Sequence, residues 1–155
     1  MTTENIKIKI NSFLKKTTGY NLIKIDQSVK NYRNILKKLL EKNSKLFNGN
    51  VLDIGAGSFI WPKQRFGNLC NYKTIDNQKY DKLDIIGDVT NLTNIIKPNS
   101  QDLILILEVL EHVKNPILAI EQIYQCLKKD GCLILSVPFN YEMHGEDYGD
   151  YWRFT

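Results

Sequence analysis

The chain has little of what builds metal centres and covalent scaffolds. Its 155 residues include only three cysteines, Cys70, Cys126 and Cys132, at unrelated spacings. There is no Cys-x-x-Cys pair and there are only two histidines, His112 and His144, so no metal site is expected. An odd number of cysteines also argues against a disulfide framework, and buried thiols in a reducing compartment are the simpler reading. No apolar run approaches the length of a membrane span, and the N-terminus lacks the apolar stretch of a secretory signal. The expectation is a cytoplasmic protein with no membrane partner. Charge of one sign is not concentrated either. Lys and Arg number 21 against 17 Asp and Glu, a net charge of +4, and the lysines fall in short pairs such as Lys37-Lys38 and Lys128-Lys129. That is the pattern of a solvated surface and not of a nucleic-acid stripe.

What is present is enough for one core. Hydrophobic residues make up 43% of the chain and charged residues 25%, and the length is close to that of a common domain. No internal repeat or linker divides it. We read a single domain over 1–155, with an N-terminal helical segment (1–49), a ligand-binding core (50–139) and a lid or acceptor segment (140–155). The first stretch is ambiguous, because Ile6, Ile8 and Ile10 alternate like a strand while Ile6, Ile10, Phe13 and Leu14 share a helical face. Val29, Tyr32, Leu36, Leu39 and Leu40 keep helical spacing, which predicts a helix from about Ser28 to Phe47.

From Asn50 onward strands and helices alternate. Asn50 to Ile54, Asn71 to Asp76, Lys82 to Asp88, Gln101 to Glu108 and Gly131 to Phe139 read as strands, several of them apolar enough to be covered on both faces. Between the last two lies a helix with Asn115 as its cap and Pro116 in its first turn. Its expected buried stripe is Ile117, Ile120, Ile123, Tyr124 and Leu127, with Lys128 and Lys129 at its negative end and a turn at Asp130-Gly131. This order predicts an α/β fold: a Rossmann-like, doubly wound, mostly parallel sheet with helices on both faces.

Ligands in such sheets bind at the carboxyl ends of the strands. There the sequence places Asp53, Gly55, Ala56 and Gly57, then Asp76 and Asn77, then Asp88 and Val89, then Leu107, Glu108 and Val109. Four acidic residues with no Lys or Arg beside the glycine turn are poor surroundings for a pyrophosphate. They suit a ligand with hydroxyls, an exocyclic amine and positive charge. Each residue alone has a plain alternative: Asp53, Asp76 and Asp88 can cap turns or helices, and Gly55 and Gly57 can serve only a tight turn.

Taken in order, "VLDIGAGS", the acid Asp76 closing the second strand, "GDVT", "DLILILEVLEHV" and "LKKDGCLILSVP" resemble the motifs of the class I S-adenosylmethionine-dependent methyltransferases. The resemblance implies S-adenosylmethionine as cofactor and S-adenosylhomocysteine as product. It implies that the glycine turn passes the methionine part, that Asp76 accepts from both ribose hydroxyls, and that Asp88 meets the adenine amine. A helix opening near Ser58 would offer N–H groups to the methionine carboxylate, and Leu107, Glu108 and Val109 would border the sulfonium. Where the family often has a third glycine, this chain has Phe59, followed by Ile60, Trp61 and Pro62. The same gap counts against an NAD-dependent enzyme, since Ile60 stands at the third position of a G-x-G-x-x-G turn.

The segment from Asn140 to Thr155 would overhang this site. His144 is the candidate catalytic base, because an imidazole titrates near neutral pH; a structural role is the alternative. Tyr141, Tyr148, Tyr151 and Trp152 are candidates for an acceptor wall, with Asp147, Asp150 or Arg153 orienting it, whereas His112 is expected to pack or cap below the fourth strand. Endings of the type His…Asp-Tyr-Trp-Arg-Phe-Thr resemble those of small-molecule and glycan methyltransferases, so the acceptor is expected to be of that kind. The signatures of DNA amine and cytosine C5 methylation are missing, which argues against a nucleic-acid substrate. Only the short segment Pro138 to Thr155 follows the fifth strand's Val137. The resemblance therefore implies a sheet without the family's last two strands and an exposed edge that invites a homodimer. The rival to the enzyme is a non-catalytic cofactor-binding module that regulates or completes a partner protein.

Overall fold

A computed structural model describes residues 32–138, 144 and 149–154. The expectations on residues 1–31, and those on Tyr141, Asp147 and Tyr148, lie outside the described residues. The described chain runs α1 (Tyr32–Lys42), a 3-10 turn (Ser44–Leu46), β1 (Asn50–Ile54), α2 (Trp61–Phe66), β2 (Asn71–Asp76) and β3 (Ile85–Ile86). A second 3-10 turn (Val89–Asn94) leads to β4 (Gln101–Leu107), a third (Leu110–His112) to α3 (Pro116–Cys126), and the chain then enters β5 (Leu127–Ser136). The strands form one parallel sheet in the order β3-β2-β1-β4-β5. The order reverses beside β1, which pairs with β2 on one side and β4 on the other. This is the doubly wound architecture the alternating pattern predicts, with β5 at the edge among the described residues.

Period-two alternation sorts the strand residues into two cores. Leu52, Ile54, Ile75, Ile104, Ile106, Leu133 and Leu135 face α3 and the second 3-10 turn. Val51, Tyr72, Leu103, Leu105 and Ile134 face the other way and pack with Leu36 and Leu40 of α1, with Phe47, and with Phe66 of α2. Phe47 stacks on Phe66 with centroids 3.8 Å apart, which ties the chain after α1 to α2. No described helix is long and apolar enough to cross a membrane.

Several boundaries differ from the sequence reading, each for a physical reason. The first helix stops at Lys42, where the Asn43 side chain donates to the Leu39 carbonyl at 2.8 Å and a 3-10 turn follows. The strand expected over Lys82 to Asp88 shrinks to Ile85–Ile86. Just before it the Asp84 carboxylate accepts the Thr74 N–H at 2.7 Å, so a side chain stands where a ladder carbonyl would. The helix after Asn115 has the expected cap, with the Asn115 carboxamide accepting from Leu118 N at 3.1 Å. It ends at Cys126, however, and not at Lys129. The carbonyls of Gln125 and Cys126 accept from the N–H groups of Asn99 and Ser100, and Leu127 turns extended to pair with Gln101. Leu127 is therefore buried in β5 and not on the helix, Tyr124 is exposed, and Ala119 and Cys126 complete the helix's buried face. The pairing of β5 with β4 shifts register between Gln101 and Leu103, and this irregularity takes the place of the turn expected at Asp130-Gly131.

Candidate functional site at the carboxyl edge of the sheet

A cleft of about 610 Å³ opens where the sheet order reverses, between the loops after β1, β2, β3 and β4. That is a volume suited to a small molecule or cofactor. Its floor is the turn after β1. Gly55 and Gly57 both take positive φ, +68° and +50°. At Gly55 a Cβ would lie 2.2 Å from Val109 Cγ2, so the glycine lets the β1 turn and the loop after β4 touch. At Gly57 the nearest atom to such a Cβ is 3.9 Å away, and only the backbone conformation demands glycine.

Beside this turn stands Asp76 at the end of β2. One carboxylate oxygen accepts from Gly57 N and the other from Gln78 N, both at 3.0 Å. Two backbone donors thus hold the carboxylate in place, and each oxygen keeps a further lone pair. Asp88 follows β3. Its Oδ1 accepts from the N–H and the hydroxyl of Thr90, at 2.8 and 2.7 Å, so it caps the 3-10 turn, as its plainer reading anticipates, while also lining the cleft.

The wall after β4 is of another kind. Glu108 adopts φ +58°, a left-handed conformation that is costly for a residue with a Cβ. Both its carboxylate oxygens are buried without a hydrogen-bond partner among the described residues. Burial pushes its carboxyl up to about 7. One 3-10 turn later, His112 swings back to the same edge and lines the cleft. Its Nδ1 lies 2.6 Å from the Gly149 carbonyl, and burial holds the imidazole below its usual range, favouring the neutral ring.

The C-terminal segment lies against this wall. Tyr151 N donates to the Glu111 carbonyl at 2.8 Å, and the Trp152 indole donates to the Val113 carbonyl at 2.7 Å. Tyr151 reaches the cleft, where Lys114 sits over its ring, 5.8 Å from the centroid. Trp152 and Phe154 pack on the core and do not line the cleft, and Arg153 is paired with Asp150.

A family comparison decides what this arrangement belongs to. Residues 27–155 match the family model described as a methyltransferase domain. The chain belongs to that family. No curated protein matches it. Among solved structures, an S-adenosylmethionine-dependent methyltransferase of Archaeoglobus fulgidus is 19% identical, with a TM-score of 0.49, over 62% of this chain and 48% of the other. A candidate S-adenosylmethionine-dependent methyltransferase of Methanococcus maripaludis is 20% identical with the same TM-score, over 77% and 67%. The methyltransferase CalH, solved with S-adenosylhomocysteine, is 16% identical at a TM-score of 0.49, over 61% and 34%. The chain thus spans about half the length of the Archaeoglobus protein and a third of CalH.

Within this methyltransferase domain, the residues expected at the cofactor divide. Gly55, Ala56, Gly57, Asp76, Asn77, Asp88, Val89, Glu108 and Val109 all line the cleft. Asp53 and Leu107 do not. Asp53 shares the parity of Val51, so its side chain points into the core under α1 and α2, where the Tyr72 hydroxyl donates to it at 2.9 Å. Burial pushes its carboxyl up to about 7. Leu107 likewise packs into that second core. The helix expected to open near Ser58 begins at Trp61 instead, after a tight turn in which Phe59 N donates to the Ala56 carbonyl. It has six residues, and Pro62 in its first turn removes one of the N–H groups expected there. His144 does not line the cleft; it stands behind His112, with ring centroids 4.9 Å apart.

Sequence reasoning did not assign His112, Lys114 or Arg33 to the cleft, and all three line it. For His112 a signal existed. It follows Glu108 at a spacing that one helical turn closes onto the same edge.

Proposed function

We propose that this chain transfers a methyl group from S-adenosylmethionine to a small-molecule or glycan acceptor, releasing S-adenosylhomocysteine. The observation that carries this reading is Asp76, held by two backbone donors at the mouth of a cleft floored by two positive-φ glycines. Its remaining lone pairs suit the paired hydroxyls of a ribose, and the glycine floor suits a cofactor that lies close to backbone. Asp88 is the acceptor for the adenine amine. Glu108, buried beside the glycine turn, is the negative group for the cationic end of the cofactor. The bound cofactor supplies an electrophilic methyl group on a sulfonium. The protein's part is to hold the acceptor in line with it and to exclude water. Tyr151, with Lys114 over its ring, offers the aromatic face and positive charge that a sugar or a small anionic acceptor would meet.

Calorimetric titration with S-adenosylmethionine, S-adenosylhomocysteine and NAD tests the cofactor. The expected result is micromolar binding of the two sulfur compounds, no binding of NAD, and roughly 100-fold weaker binding in Asp76→Ala, about 2.7 kcal/mol. Absence of binding by either sulfur compound would overturn the reading and point to a module completed by a partner protein.

A further inference from the structure

The two histidines of this chain are far apart in sequence, yet the fold brings them together. His112 ends the 3-10 turn after β4, and His144 lies in the segment after β5. Their rings meet edge to face, with an interplanar angle of 80°. Glu111 stands against the pair with no exposed surface, its Oε1 3.7 Å from His112 Nε2. Neither of its carboxylate oxygens has a hydrogen-bond partner among the described residues. One donor atom from each of the three side chains lies within 4.8 Å of the others.

The ring of His112 is already sorted into a donor and a ligand side. A carbonyl can only accept, so the nitrogen 2.6 Å from Gly149 O carries a proton, and Nε2 is the ring nitrogen that faces Glu111. Donation of the second ring N–H to a backbone carbonyl is how metal-bound imidazoles are commonly oriented. His144 is fixed as well: its backbone N–H donates to Asp150 Oδ2 at 2.7 Å, and its Nδ1 is 3.4 Å from the same oxygen.

We propose that Glu111, His112 and His144 form a binding site for a divalent metal ion of the zinc class. Two imidazoles and one carboxylate are a familiar set for such ions and leave further coordination positions open. Metal–nitrogen bonds of about 2.0–2.1 Å would draw the three ligand atoms closer by about an ångström, within reach of side-chain rotation. The charge around the site suits a cation. Glu108 and Asp150 lie near Glu111, and Arg153, the cation that faces Glu111, is held by Asp150. A buried carboxylate that lacks a partner is costly, and a metal would relieve that cost. Because His112 also lines the cleft, the ion would border it. The proposal does not depend on methyl transfer.

The test is a cobalt titration of the full chain, stripped with a chelator, in the absence of any cofactor. The expected result is one equivalent of Co²⁺ bound with intense visible d–d absorption, displaced by Zn²⁺ and not by Mg²⁺. Glu111→Gln, which matches the neutral acid in shape, and His144→Ala, which lies outside the sheet, should each weaken binding at least tenfold while keeping the wild-type circular dichroism. Lack of saturable Co²⁺ binding, or binding that both variants leave unchanged, would overturn the site. Displacement by Mg²⁺ would overturn the metal class. Since no cofactor is present, failure here leaves the calorimetric result on S-adenosylmethionine untouched.

Discussion

The two walls of the cleft handle their carboxylates in opposite ways. On the side of β1 and β2, Asp76 takes one backbone N–H on each oxygen and keeps lone pairs to spare. On the side of β4, the carboxylate oxygens of Glu108, which lines the cleft, and of Glu111, which lies behind that wall with no exposed surface, are buried with no partner among the described residues. Burial pushes their carboxyls up to about 7 and about 8, and the negative charges of Glu108 and Asp150 add to the shift of Glu111. The first wall is a preorganised acceptor whose charge is already solvated by the protein. The second holds protons until something positive replaces them. A pocket built this way offers hydrogen-bond acceptors at one end and latent negative charge at the other, which suits a ligand that is polar at one end and cationic at the other.

The largest expected effect comes from joining the walls too tightly. Gly55→Ala sets a Cβ against Val109 at a positive φ, so both the clash and the backbone cost apply. A loss of about 4 kcal/mol is expected, read as a fall in melting temperature of about 8–16 °C, with S-adenosylmethionine binding abolished. Gly57→Ala meets no atom closer than 3.9 Å and should cost only about 1 kcal/mol. Equal losses for the two variants would show that the contact with Val109 is not what requires glycine at Gly55.

Next in size is the pH dependence of the β4 wall. In the unfolded chain Glu111 loses its proton near its ordinary value of 4.5, whereas in the folded protein it keeps it up to about pH 8. Between these values the folded state binds more protons, so stability falls as pH rises. Glu108 and Asp53, both raised to about 7, act in the same direction. Metal-free wild type should therefore be most stable at mildly acidic pH. Glu111→Gln should gain about 2–3 kcal/mol over wild type at pH 8 and little at pH 5, measured by urea denaturation at each pH. An advantage independent of pH would mean that the buried acid does not titrate in this window.

The smallest effect tests whether Asp53 belongs to either wall. Tyr72→Phe removes the hydroxyl that donates to it and leaves a buried oxygen unpaired. A loss of about 1–2 kcal/mol in stability is expected, with the affinity for S-adenosylmethionine unchanged. A tenfold loss of affinity would place Asp53 back among the cofactor's contacts.

Much of this was legible in the residues. The segments Asn50–Ile54 and Asn71–Asp76 are strands from end to end, and most of the acids and glycines that follow the strands collect at one cleft. Local pattern suffices there, because strand period and turn chemistry act over a few residues. Asp53 is the instructive failure. It looks like the other strand-end acids, yet it lies within the strand, and alternation turns it into the core with Val51. The end of α3 was equally hidden, since the N–H groups that donate to its last carbonyls belong to Asn99 and Ser100, in the separate segment that leads into β4.

By itself, the sequence determined the α/β architecture, the glycine turn and the set of acids at the strand ends, because each depends on neighbours along the chain. The tertiary structure alone decided which of those acids are solvated and which are stranded. It also decided that His112 and His144 stand together beside Glu111. Burial and partnership depend on what distant segments bring alongside, and the helix and strand that separate the two histidines in sequence carry no local trace of that meeting.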